Sequence, residues 1–164
     1  MSDSSHVIRV ESPIGRIEIV SDGDAVTQLS IAHDDRLPND TIPELSDSVL
    51  DTAAEQLGEY FAGLRRTFTI PVHLTGTPFQ RAVWEQLAQV EFGTLTSYGT
   101  LGESLGYTGY GRAVGGAVGA NPVPIIIGCH RVLSASGAVT GYSGGDGIPT
   151  KMWLLRHEGV TLAE

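Results

Sequence analysis

This chain is short of cysteine, of positive charge and of long apolar runs, and each shortage closes off a class of function. One cysteine in 164 residues, Cys129, excludes an intramolecular disulfide and a cysteine-rich zinc site. A lone thiol survives best in a reducing compartment, so a cytoplasmic location is expected. No apolar stretch approaches the roughly 20 residues that span a bilayer, and Met-Ser-Asp-Ser-Ser-His at the start lacks the basic and apolar regions of a signal peptide. No membrane association is expected. His6, His33 and His73 are scattered, so neither a metal nor another cofactor is expected. Ten Lys and Arg against 19 Asp and Glu leave a net charge of −9, which argues at first against nucleic acid. The imbalance is local, however. Residues 1–76 carry 13 acidic and 5 basic side chains, and residues 77–164 carry 6 and 5. A nearly neutral segment can still bind DNA through a few placed cations and helix N-termini.

What is present divides at Thr75-Gly76. Before it, Val7 to Val20 alternates around a Ser-Pro-Ile-Gly turn, and Ala25 to Ala32 reads as a further strand. Residues 33–47 are acidic and contain proline, which predicts a loop. Val49, Leu50, Ala53, Leu57, Tyr60, Phe61 and Leu64 recur at three and four, the period of an amphipathic helix. Phe68 to Leu74 is a strand candidate. Residues 1–76 therefore read as a small α/β domain serving as scaffold.

Residues 77–164 read as mainly helical. Thr77-Pro78-Phe79-Gln80 has the form of a capping box with proline at the first helical position, and Phe79, Val83, Leu87 and Val90 share a face. Ser97 can cap a short helix from Tyr98 to Leu105, closed by Gly106. Gly111 to Gly119 forms a second short helix, and the pair is a helix-turn-helix candidate. Four glycines in those nine residues weaken a helix by about 1 kcal/mol each relative to alanine. Close approach of another surface offsets such a cost, either a DNA groove or a neighbouring helix. Arg112 is the only charge there, and it is either a solvated group or one that reaches into a base stack.

Cys129 follows an apolar run and precedes His130 and Arg131. A thiolate is the nucleophile, and a nearby base or positive charge favours it. A lone cysteine is equally at home as a small buried hydrophobe. Its neighbours weigh on the choice. Ser97-Tyr98-Gly99, Gly111-Arg-Ala-Val-Gly-Gly116, Asn121-Pro-Val-Pro before Cys129-His-Arg-Val132, Gly141-Tyr-Ser-Gly-Gly145 and Lys151-Met-Trp-Leu-Leu-Arg-His-Glu-Gly159 occur in this order. Together they resemble the O6-alkylguanine-DNA alkyltransferases, the methylated-DNA–protein-cysteine methyltransferases. A weaker resemblance runs through Ser-Pro-Ile-Gly and Leu57 to Gly63.

The resemblance implies an α/β fold: a ribonuclease-H-like first domain, 1–76, and a DNA-binding, alkyl-accepting second domain, 77–164. It implies DNA repair by one irreversible transfer from O6-alkylguanine, and by extension O4-alkylthymine, to Cys129 in flipped-out double-stranded DNA. His130 matches a base acting through a water, and Glu158 the carboxylate orienting it; Glu158 alone would read as a solvated last-turn residue. Asn121 matches a hinge residue, although Asn before Pro is also an ordinary turn residue. Tyr98 matches the phenol that donates to the guanine. The backbones of Cys129, Val132 and Ser143 match groups that read the base edge, and Tyr142, otherwise a loop aromatic, matches a pocket wall. Arg112 matches the residue that fills the vacated stack, with Ala113, Gly115 and Gly116 packing into the minor groove. A monomer is expected.

Three positions depart from the resembled pattern. Gly128 stands where proline is usual, which leaves the backbone before the nucleophile freer. Tyr110 and Gly111 replace small alanine-like residues before Arg112, and Asp146–Thr150 adds about two residues beside the expected pocket. Relatives that only bind alkylguanine carry Trp in place of the cysteine, so Cys129 speaks against such a sensor. A regulator of this type would need a cysteine-rich metal domain, and nothing suggests a hydrolase with an acyl intermediate.

Overall fold

The computed structural model describes residues 5–161. They form two compact units: one ends at Leu74 and takes in Gly144–Asp146, and the other runs Thr75–Ser143 and resumes at Gly147.

In the first unit, β1 (His6–Val10), β2 (Ile17–Ser21) and β3 (Val26–Ile31) form an antiparallel sheet in that order. Alternation sets the register, with Ile8 opposite Ile19 and Ile19 opposite Leu29. Helix α1 (Ser48–Phe61) buries Leu50, Ala53, Leu57 and Tyr60 and packs on β1 and β2. The Asp47 side chain caps it by accepting from the Leu50 amide. The helix stops at Phe61, so Leu64, expected on its apolar face, lies beyond it and is 80% exposed. On the sheet, Glu18 is buried and accepts from the Asn39 amide and side chain and from Arg9 Nε, which anchors the 33–47 loop.

The strand expected at Phe68–Leu74 does not form. Only a single parallel bridge joins Val72 to Val26, because Pro71 lacks the amide a ladder needs. Gln56 on α1 holds this segment instead, donating to Thr69 Oγ1 at 2.6 Å and accepting from its amide at 3.0 Å.

The second unit contains α2 (Pro78–Leu87), α3 (Tyr98–Ser104), α4 (Gly111–Gly119) and α5 (Ile148–His157). Both halves of the Thr77–Gln80 capping box form, and α2 ends at Leu87, leaving Val90 outside it. Val83, Trp84 and Leu87 meet Leu101, Val114, Ala117 and Val118 in the core, and Trp84 Nε1 donates to the Ala117 carbonyl at 2.8 Å. Ser97 caps α3 through the Thr100 amide, and Gly106, at φ +84°, ends its last turn in the left-handed conformation. α3 and α4 approach closely. A Cβ on Gly102 would lie 3.0 Å from the Tyr107 carbonyl oxygen and 3.2 Å from Val114 Cγ2. The α/β fold with a helical second part and a helix-turn-helix agrees with the sequence expectation.

Two further pieces position the site. A two-residue parallel ladder joins β4 (Thr96–Ser97) to β5 (Val132–Leu133), and this brings the start of α3 beside the segment after Cys129. Residues 129–131 make one 3₁₀ turn just before β5. The expected loop at Asp146–Thr150 is only half a loop, because Ile148 to Thr150 already form the first turn of α5, which Pro149 favours. Among the described residues no helix is long and apolar enough to cross a membrane.

Candidate active site

A cleft of about 480 Å³ opens in the second unit, lined by Tyr98, Gly115, Val118, Gly119, Cys129, Thr140, Gly141, Tyr142 and Ser143. Its size suits a single planar ring system with a few converging polar groups. Tyr98, the first residue of α3, faces Gly115 on α4; a Cβ on that glycine would sit 3.8 Å from the phenol ring. Ser143 donates from its hydroxyl to the Gly119 carbonyl at 2.9 Å and ties the 140–143 segment to the end of α4.

Cys129 lies in this cleft with 5% of its surface exposed. Burial pushes its thiol pKa up, while a hydrogen bond from Asn121, the charge of Lys151 and a hydrogen bond from Tyr142 pull it back. Asn121 is buried and fully used: Nδ2 donates to the Ile127 carbonyl at 2.9 Å and Oδ1 accepts from the Val123 amide at 3.0 Å. These bonds fasten a turn in which the buried Ile125 adopts φ +73°, a strained conformation for a β-branched residue. Asn121 is thus a turn residue and a thiol partner at once.

The two residues that follow Cys129 enter a buried ionic cluster with Glu158. His130 Nε2 lies 2.7 Å from Glu158 Oε2, and both side chains are 0% exposed. Arg131 donates from Nε to Glu158 Oε1 and from Nη2 to Oε2, both at 2.9 Å, and from Nη1 to the Val90 carbonyl at 2.7 Å. The Gly93 amide supplies a fourth donor to Glu158, at 3.1 Å from Oε1. Burial opposes ionisation of Glu158, yet the bonds from His130 and Arg131 outweigh it and hold the carboxyl well below the usual carboxylate range. Glu158 caps the end of α5 and is buried, so the solvated alternative for it falls away. Because an ionised carboxylate only accepts, His130 donates from Nε2, and its buried Nδ1 has no hydrogen-bond partner among the described residues. Nδ1 is then the ring nitrogen left able to accept a proton.

Two basic residues play parts that the sequence reading did not assign. Arg131 follows the thiol in sequence but turns away to Glu158. The cation whose charge reaches Cys129 is Lys151, the chain's single lysine, on α5. It is 1% exposed and donates from Nζ to the carbonyls of Val132, Thr140 and Gly141 at 2.6, 2.8 and 3.3 Å. Its burial lowers its pKa to about 8, against the opposing pull of Cys129. Its spacing from Glu158, a full two turns of one helix, is the only sequence signal that both serve one site.

The structure gathers Tyr98, Cys129, Tyr142 and Ser143 at the cleft; Asn121 hydrogen-bonds the thiol, and His130, next to Cys129 in the chain, pairs with the buried Glu158. It does not bring Val132 to the lining: the Val132 amide donates to the Cys129 carbonyl and its own carbonyl accepts from Lys151. None of residues 146–150 lines the cleft either. Arg112 and Ala113 stand exposed on α4 together with Gly111, Gly116 and Gly119. A Cβ on Gly111, Gly116 or Gly119 would meet nothing within 4 Å, so no neighbouring helix explains these glycines. Tyr110, 54% exposed at the start of α4, packs tilted against Tyr107 with ring centres 5.4 Å apart, and Tyr107 meets Phe79 edge-on at 5.2 Å. No cluster of metal-ligating side chains occurs among the described residues.

Residues 78–160 match the profile of the 6-O-methylguanine DNA methyltransferase DNA-binding domain, and residues 7–74 that of the same family's ribonuclease-like domain. The chain belongs to this methyltransferase family. It is similar to the methylated-DNA–protein-cysteine methyltransferase of Mycobacterium tuberculosis, 39% identical over 153 residues, with 93% of this chain and 92% of that protein covered. The Shigella flexneri protein of the same name is 49% identical over 110 residues, which cover 66% of this chain and 63% of that protein. A crystal structure of Mycobacterium tuberculosis OGT in complex with DNA superposes with a TM-score of 0.83 at 38% identity, covering 93% of this chain and 92% of that one.

Proposed function

We propose that this methyltransferase-family chain repairs DNA by transferring an alkyl group from guanine O6 irreversibly to Cys129, once per molecule. The observation that carries the reading is the buried Cys129 thiol in a cleft of about 480 Å³, followed in the chain by His130, which pairs with Glu158. The thiol proton passes through a water to His130 Nδ1, while Nε2 stays hydrogen-bonded to Glu158. The sulfur then attacks the alkyl carbon, the carbon–O6 bond breaks, and the electron pair leaves with the guanine. Tyr98, on the cleft wall, hydrogen-bonds to the base as it gains charge. A thioether has no ready leaving group, so no step regenerates the thiol.

The partner is double-stranded DNA carrying O6-alkylguanine, with O4-alkylthymine a second substrate. A base stacked in a duplex cannot enter a cleft of this kind and must be flipped out. The exposed small residues of α4 suit close packing in the minor groove, and Arg112 fills the vacated stack. Tyr142 walls the base, and the backbones of Cys129 and Ser143 read its edge. Residues 77–164 carry the chemistry and DNA binding, residues 1–76 serve as scaffold, and the chain acts as a monomer in the cytoplasm without metal or cofactor.

The test is incubation with a duplex containing O6-methylguanine, followed by peptide mass mapping. One added methyl mass on the Cys129 peptide is expected. Folded protein that leaves the DNA methylated and the peptide unchanged overturns the proposal.

A further inference from the structure

Gly128 is not the loose joint that its replacement of proline suggests. Its φ of −75° is ordinary for any residue. What its missing side chain provides is space. A Cβ there would lie 2.7 Å from Arg131 Nη1, 2.9 Å from Cζ and 3.0 Å from Cδ. Arg131 cannot step aside cheaply, because it is buried and its guanidinium is fixed to both oxygens of Glu158 and to the Val90 carbonyl.

We infer that Arg131 is a positioning residue for the transfer: its two-point grip on Glu158 leaves His130 uncharged with Nδ1 open to accept the thiol proton, and Gly128 provides the room for that grip. The inference rests on the reading of Cys129 as alkyl acceptor and His130 as its base. A buried carboxylate facing a histidine alone favours the imidazolium, whose two nitrogens both carry protons and cannot accept a third. With Arg131 as its counter-ion, Glu158 needs no second cation. The charged groups acting on His130 are Lys151 from α5, Glu158 at the end of that helix, and Arg131 from its own turn, and the titratable Cys129 precedes it in the chain. Protonating His130 would add a buried positive charge beside two others. Burial holds its pKa below the ordinary histidine value, Arg131 and Lys151 push the same way, and only Glu158 pulls against them.

The experiment measures single-turnover transfer from O6-methylguanine duplex across pH for the wild type, Arg131→Met, Arg131→Lys and Gly128→Ala, with 15N-histidine NMR of His130 in each. In the wild type the rate holds to below the ordinary histidine pKa of about 6.5. In Arg131→Met the acid limb moves up by about one unit, a tenfold loss near pH 6 that recovers at alkaline pH, and NMR reports imidazolium at neutral pH. Arg131→Lys restores part of the shift, since it keeps the charge but not the fork. Gly128→Ala moves the limb the same way as Arg131→Met while leaving every charged group in the chain. Should Arg131→Met not fold, Arg131→Lys and Gly128→Ala decide. Variants that lose rate equally at every pH, with His130 titrating as in the wild type, overturn the inference. A wild type that takes up no methyl overturns the underlying reading instead.

Discussion

Glu158→Gln removes one charge and changes no more than one atom, and its cost follows from the four donors that converge on the carboxylate. Glu158 accepts from His130 Nε2, Arg131 Nε, Arg131 Nη2 and the Gly93 amide. An amide offers one acceptor oxygen and an NH2 that donates. If its oxygen faces Arg131 Nε and Gly93, its NH2 meets two other donors. Arg131 then becomes a buried cation without a counter-ion, which costs about 3–5 kcal/mol. At roughly 2–4 °C per kcal/mol for a chain of this size, the melting temperature should fall by about 6–20 °C. His130 can relieve the clash only by moving its proton to Nδ1, which closes the acceptor, so transfer should slow by about 10²–10⁴. The pH dependence has a definite sign. The Glu158 carboxyl titrates well below the ordinary carboxylate range, so its stabilisation is fully present above about pH 5 and is lost as pH falls. The gap in melting temperature between wild type and variant is therefore constant near neutrality and narrows in acid. Thermal denaturation across pH and single-turnover transfer measure both quantities. A variant that melts within about 2 °C of the wild type and transfers within about threefold of its rate refutes the reasoning.

Three other substitutions probe separate parts. Gly116→Ala meets nothing within 4 Å and sits in α4, so the melting temperature should rise by about 2–4 °C while DNA affinity falls; unchanged affinity in a binding titration contradicts minor-groove packing by this face. Asn121→Ala strands the buried Val123 amide and Ile127 carbonyl, for a loss of about 2–5 kcal/mol in denaturant unfolding. It also removes a bond that favours the thiolate, so Cys129 should react with a disulfide reagent only at higher pH than in the wild type. Lys151→Met takes away the cation that favours the Cys129 thiolate and the donor that holds Val132 to Thr140, and transfer near pH 7 should drop about tenfold or more; an unaltered rate removes Lys151 from the site.

Much of this arrangement is legible in the sequence, because local rules and tertiary packing agree there. The Thr77–Gln80 box, the α4 span and the Gly106 stop each rest on backbone chemistry within a few residues. Periodicity overshoots at Leu64 and Val90, since an apolar residue in phase with a helix need not belong to it. At 68–74 an apolar run suggests a strand, but Pro71 and the side chain of Gln56 decide the outcome. Charge is the least legible quantity. Arg131, two residues after Cys129, is the positive charge nearest the thiol in sequence, yet it is bound to Glu158, and Lys151 arrives from 22 positions later. Gly128 reads as a flexible residue, while its meaning lies in a guanidinium three positions on. Such pairings depend on which side of a turn a side chain leaves, and spacing along the chain does not encode it.

The central claim, that Cys129 is a single-use alkyl acceptor, is tested most directly by stoichiometry. Protein is mixed with a large excess of duplex carrying radiolabelled O6-methylguanine, and methyl transferred per chain is followed to completion. Uptake that stops at one methyl per chain, all of it on Cys129, with none in Cys129→Ser, is the predicted result. Continued turnover beyond one equivalent, or label retained by Cys129→Ser, contradicts the account.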